Sequence, residues 1–121
     1  MKRDMELIKA ILLSIEENCD GMKPYHPTRD SVKYEYSGTD AGFEQHCRLI
    51  VEHKLAHAIA DLRSGVVFLA LTWEGHDFLD SAREPKVWNK VKGYAGRVSF
   101  AVLCAIMDAL ALKLAENQVA F

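Results

Sequence analysis

Apolar residues near the start of the chain recur at three- and four-residue spacing. Met5, Ile8, Ile11, Leu12 and Ile15 give one apolar face to a helix from about Asp4 to Asn18. Asp20-Gly21 supplies a stop, and Pro24 and Pro27 in MKPYHPTRDS forbid regular structure, so a loop follows. In VKYEY the period changes to two. Val32, Tyr34 and Tyr36 fall on one side and Lys33 and Glu35 on the other, which predicts a short, half-buried strand. Ser37-Gly38 turns the chain. Thr39 or Asp40 then caps a second helix to about Lys54, with Phe43, Cys47, Ile50 and Val51 facing inward.

LAHAIADL and VVFLALT flank the polar connection RSG, the pattern of a β-hairpin. In LALTWEGHDFLD a strand ends at Leu71 and Thr72 caps a helix, along one side of which lie Gly75, Phe78, Leu79 and Ala82. Pro85 stands at a first helical position, opening a helix on which Val87, Trp88 and Val91 pack. Gly93 and Gly96 break that helix, and Ser99 caps a last one to about Glu116. The fold class predicted is α+β and mostly helical. Its order is winged-helix-like (helix, short strand, helix, β-hairpin wing) with additional C-terminal helices. A full winged helix has two helices between the first strand and the wing. Ser37 to Lys54 has room for one and a turn, so a trimmed version fits better.

At 121 residues, half of them hydrophobic and with a formal net charge of −2, the chain reads as one globular domain. Residues 1–83 would form the winged-helix-like part and 84–121 the helical extension. The charge balance is mild evidence against a dedicated nucleic-acid binder and leaves room for a local basic patch. Asp4, Glu6 and Lys9 interrupt any signal-peptide core, and VSFAVLCAIMDALALKL is too short and too charged to span a bilayer, so no membrane association is expected. Cys19, Cys47 and Cys104 are odd in number and far apart, which fits reduced thiols in a bacterial cytoplasm.

The stretches MKRDMELIKAILLSIEEN, LTWEGHDFLD and VWNKVK, in that order, resemble the domain-of-unknown-function family 2513, small proteins of bacteria, prophages and phages. FEQHCRLIVEHKLA is similar to the family's segment of the type yHlklLeeaGLI, with His46 at the histidine. The resemblance implies a winged-helix-like fold and a mobile-element setting. It implies no catalytic residue. The chain departs from the family in the proline-broken loop Met22 to Ser31 and in KLAHA, where the family tends to have a glycine.

Chemistry is sparse. HKLAH has zincin spacing, but Lys54 replaces the general-base glutamate and a strand begins near Ala56, so His53 and His57 need not share a face. Glu74, Asp77, Asp80 and Glu84 read as the solvated side of a helix, with Glu74 and Asp77 favoured by the dipole of its first turns. Cys47 and Cys104 have no His and no positive field beside them. No catalytic residue, metal site or cofactor is expected, and the protein is read as not an enzyme.

Two basic sets could meet nucleic acid. Arg48, Lys54 and Arg63 would be the helix-and-wing set, although Asp40, Glu44 and Glu52 share that helix. Lys86, Lys90 and Lys92, in a basic segment that also holds Arg97 and is interleaved with Trp88 and Tyr94, are the rival patch, open also to the reading that the aromatics are core and the lysines wet. The last helix is apolar nearly all round. Phe100, Leu103, Met107, Leu110 and Leu114 lie on one side, with Val98, Val102 and Ile106 around the other, and together they form the expected interface of a homodimer or of a protein partner. Two functions are therefore carried forward. One is a small DNA-binding or regulatory factor acting as a dimer on double-stranded DNA. The other is a protein-interaction module that binds and inhibits or redirects a host protein, anti-defence-like or antitoxin-like.

Overall fold

A computed structural model of the chain describes residues 2–61 and 65–119. Contacts divide it into two compact units, residues 1–76 and 77–121.

The first unit is built on α1 (Met5–Asn18) and α2 (Asp40–Glu52). The Asp4 carboxylate caps α1, accepting from the backbone N–H groups of Glu6 and Leu7 at 3.1 and 3.2 Å. Thr39 caps α2 through Gly42 N–H at 3.0 Å. Leu7, Ile8, Ile11, Leu12 and Ile15 of α1 are fully buried, as are Ile50 of α2 and Val66 and Phe68 of the hairpin. Each such side chain contributes about 1.5–3 kcal/mol of hydrophobic stabilisation, an upper bound because the unfolded chain buries some of this surface too. The hairpin pairs β1 (Ala56–Asp61) with β2 (Gly65–Leu71) antiparallel. A bulge between His57 and Ala58 leaves Leu69 as the extra residue on β2. Leu71 is half-buried.

The expected strand Val32 to Tyr36 does not form; Val32 to Tyr34 are bends and Glu35 and Tyr36 are irregular. The alternation is real, since Val32 is buried and Tyr34 and Tyr36 are half-buried while Lys33 and Glu35 are exposed. It serves side-chain partners instead of a backbone ladder. Tyr34 donates to Asp4 at 2.7 Å, and the Tyr36 ring meets Phe43 and, edge-on, His46. The β2 edge is taken by Tyr25, from the proline-broken loop. Tyr25 N–H donates to Phe68 O at 2.8 Å and Phe68 N–H to Tyr25 O at 2.7 Å. The next rung on one side falls on Pro27, which has no N–H to donate, and Val66 O is met instead by His26 Nδ1 at 2.9 Å, so the pairing stays a single bridge.

α3 (Trp73–Ala82) begins in the first unit. Thr72 Oγ1 accepts from Gly75 N–H at 3.0 Å and donates to Lys54 O at 2.6 Å, while Thr72 N–H donates to Leu55 O at 3.1 Å. The LTWEG stretch thus fixes the helix start to the junction between α2 and β1.

The second unit holds the rest of α3 with α4 (Pro85–Tyr94) and α5 (Phe100–Val119). Pro85 opens α4 behind the Glu84 cap, as its position predicts. Gly93 is accommodated inside α4, and the break comes at Gly96, whose φ of +86° suits a residue without Cβ. Ser99 Oγ accepts from Val102 N–H at 3.2 Å at the head of α5. The Phe78 ring stacks on Phe100, centroids 6.0 Å apart, and meets Trp88 edge-on at 6.1 Å. Leu79, Val91, Leu103 and Met107 complete this core.

Candidate functional site

On α4 the three- and four-residue spacing turns Val87, Trp88 and Val91 inward, which leaves Lys86 and Lys90 exposed one turn apart. On α5, Ile106, Leu110 and Leu114 follow each other at successive turns and are half-buried, with the exposed Lys113 beside Leu114. Where the two helices meet, Lys86, Val87, Lys90, Leu110, Lys113 and Leu114 line a hollow of about 170 Å³. A second hollow, about 460 Å³, is lined by Asn89, Lys90, Gly93, Tyr94, Arg97, Ile106 and Leu110. Lys90 and Leu110 border both, so the two hollows adjoin as a trough along the α4–α5 seam.

The trough has an apolar floor and a cationic rim. Lys86, Lys90, Arg97 and Lys113 stand on it, no carboxylate lines it, and none of the four pairs with a carboxylate among the described residues. Tyr94, 45% exposed, adds an aromatic face. Lys86 and Lys90 repel each other by a few tenths of a kcal/mol at this spacing. An anionic group between them would relieve that repulsion.

The two sets expected at the α4 and α5 surfaces thus meet in one place, though not entirely. Lys86, Lys90, Ile106, Leu110 and Leu114 line the trough, while Lys92 is exposed but lies outside it. Phe100, Leu103 and Met107 leave the interface set: they are at most 2% exposed, because the inward face of α5 closes the core of the unit. Val98 is half-buried beside the Ala95 bridge. Val102 keeps 44% exposure and Leu112, which the sequence reading passed over, 63%. Lys113 was also outside the expected set, whereas Arg97 belongs to the same basic segment as Lys86, Lys90 and Lys92. Lys113 is three residues from Leu110 and seven from Ile106, which places all three on one side of a helix.

Of the helix-and-wing set, Arg48 and Lys54 lie among the described residues. Arg48 is half-buried and pairs with Glu44 at 3.6 Å, one turn away on α2. Lys54 is exposed with a φ of +58° just past the end of α2. Arg63 lies outside the described residues.

Other candidate groups take structural places. His46 is fully buried; its Nε2 accepts from Asp4 N–H at 2.8 Å, so Nδ1 carries the proton and donates to Gly42 O at 2.7 Å. His53 is the C-cap of α2 and His57 is exposed on β1, so HKLAH does not put two rings on one helix face. No group of three or more metal-ligating side chains comes together among the described residues. Glu74, Asp77 and Asp80 are exposed, and Asp80 pairs with Arg83 at 3.2 Å. Burial, and then the Glu44 charge, pushes the Cys47 thiol up to about 12 against the opposing effect of Arg48. The Cys19 thiol is also raised, by burial and then Asp20. Neither is a ready thiolate. No helix of the described residues is long and apolar enough to cross a membrane.

Comparison with known proteins places the chain. A protein of Haemophilus influenzae, described as "Uncharacterized protein", is 32% identical over 97 residues, 76% of this chain and 76% of its own. No solved structure gives a significant match. Residues 2–100 match the family described as "Hypothetical protein (DUF2513)", a span that includes α4 and ends where α5 begins. The motifs that resembled family 2513 are therefore its own, and the chain belongs to that family.

Proposed function

We propose that the protein is a non-enzymatic interaction module of a bacterial or phage-borne system, binding another protein through the α4–α5 trough and regulating it by occupancy. The observation that carries this reading is an apolar floor beside four cations that have no carboxylate partner among the described residues, on adjoining hollows. Protein interfaces combine a desolvated apolar centre with a charged rim in this way, and the rim contributes more to encounter rate and partner choice than to affinity. The buried thiol and the neutral, hydrogen-bonded His46 supply no nucleophile or acid–base pair, which favours binding over catalysis.

A second reading, a winged-helix-like regulator that binds double-stranded DNA as a dimer, draws on the order α1, α2, hairpin and on the Tyr25 bridge that supplies a third edge to the hairpin. Against it, α2 presents Asp40 and Glu52 to solvent and pairs its arginine internally. Phosphate would be repelled there more than attracted. Duplex binding measured at two salt concentrations separates the readings. The interaction module is expected to bind duplex weakly and without sequence preference. Tight binding lost on reversal of Arg48 and Lys54 would replace the proposal with the regulator.

A further inference from the structure

The chemistry of the trough also specifies what would fill it. We propose that its occupant is an acidic amphipathic helix of a partner protein, laid along the α4–α5 seam with its apolar side on Ile106, Leu110 and Leu114 and its carboxylates on Lys86, Lys90, Arg97 and Lys113. This rests on the interaction-module reading and names the partner class for it.

Three observations favour this occupant. The apolar residues recur at successive turns of α5, so they offer a row of contacts at the spacing with which an amphipathic helix presents its own apolar residues. The cations come from both walls, Lys86 and Lys90 on α4 and Lys113 on α5, and so flank whatever lies between them. Among the described residues no carboxylate lines either hollow. A partner with acidic flanks would therefore meet complementary charge along both sides, and a basic one would meet repulsion. A nucleic-acid backbone would use the cations but leave the aliphatic floor uncovered. A lipid surface is better met by a convex apolar face than by one recessed between two helices. Gly93 leaves open space on the α4 side, because a Cβ built there would touch nothing.

The test uses the full chain and a dye-labelled peptide of about five helical turns, with Leu at helical spacing and Glu elsewhere, followed by fluorescence anisotropy. Controls are the same composition with the Leu positions permuted, and a Leu/Lys peptide of the same pattern. The Leu/Glu peptide is expected to bind and both controls to fail. K86E/K90E/K113E, all exposed positions, should bind the Leu/Glu peptide about tenfold more weakly and acquire affinity for the Leu/Lys peptide. Circular dichroism melting verifies that the variant stays folded. Equal binding of the acidic and basic peptides, or indifference to the triple reversal, would overturn the proposal. So would lysine-dependent binding only to phosphatidylglycerol vesicles or to duplex DNA. A host protein held equally well by wild type and the reversal variant would remove this occupant while leaving the interaction module standing; nucleic acid as the sole co-purifying species would remove both.

Discussion

Gly75 lies directly against the carbonyl oxygen of Leu55: a Cβ built at Gly75 would overlap that oxygen, which is itself the acceptor for Thr72 N–H. The first turn of α3 can therefore approach the α2–β1 junction only with glycine at this position. Gly75→Ala is expected to destabilise by about 1–3 kcal/mol through forced backbone displacement, although alanine is the better helix former. Thr72→Val, which removes both the cap and the bond to Lys54 O, should cost about 1–2 kcal/mol. Urea unfolding of the two variants measures both; wild-type stability in Gly75→Ala would show that the junction moves freely.

Phe78, stacked on Phe100 and edge-on to Trp88, lies in the core of the second unit. Phe78→Ala should cost about 3–5 kcal/mol, whereas Asp77→Ala, one residue away and exposed, should change stability by less than about 0.5 kcal/mol. Thermal melts of the pair would contradict this if the two costs came out alike.

Tyr34 donates to the Asp4 carboxylate, and this bond, followed by desolvation and the Asp4 charge, pushes the phenol up to about 12. A pKa raised on folding favours the neutral phenol in the native state. Its contribution is complete below the unfolded value of about 10 and lost as pH rises from there towards 12. Tyr34→Phe should therefore be less stable than wild type at neutral pH, and the gap should close across that alkaline window. A gap that widened with pH would reverse the assignment.

Cys47 is 1% exposed with its thiol held protonated, while Cys19 and Cys104 are half-exposed. Titration of the native protein with a thiol reagent near pH 8 should leave Cys47 unmodified until denaturant is added. Modification at the rate of an unfolded thiol would mean that α2 opens readily.

Local patterning made the helices and the hairpin legible. The stripe in α1, the Pro85 start and the Thr72 cap each depend on residues close in sequence, and each occurs as read. The strand at Val32 was misread because period two reports which way side chains face, not whether a neighbouring backbone edge is free. That edge went to Tyr25, a long-range choice carrying no local signal. His46 was visible only as a family position, since a histidine on an inward face looks the same whether it is a ligand or a buried bridge. The trough was half legible. Lys86, Lys90 and Arg97 and the apolar row were singled out, but as separate sites, and Lys113 was not among them. Their meeting depends on how α4 packs on α5, which also turned Phe100, Leu103 and Met107 inward and so out of reach of any partner.

The central claim, that the chain works by holding a protein in the α4–α5 trough, is tested most directly by differential co-purification. Tagged wild type and K86E/K90E/K113E are recovered from host cells after nuclease treatment and, separately, without it, with protein and nucleic acid both quantified. The account predicts a stoichiometric protein partner with wild type, insensitive to nuclease and depleted about tenfold with the variant. Recovery of nucleic acid without a protein partner, or loss of the partner on nuclease treatment, would contradict it.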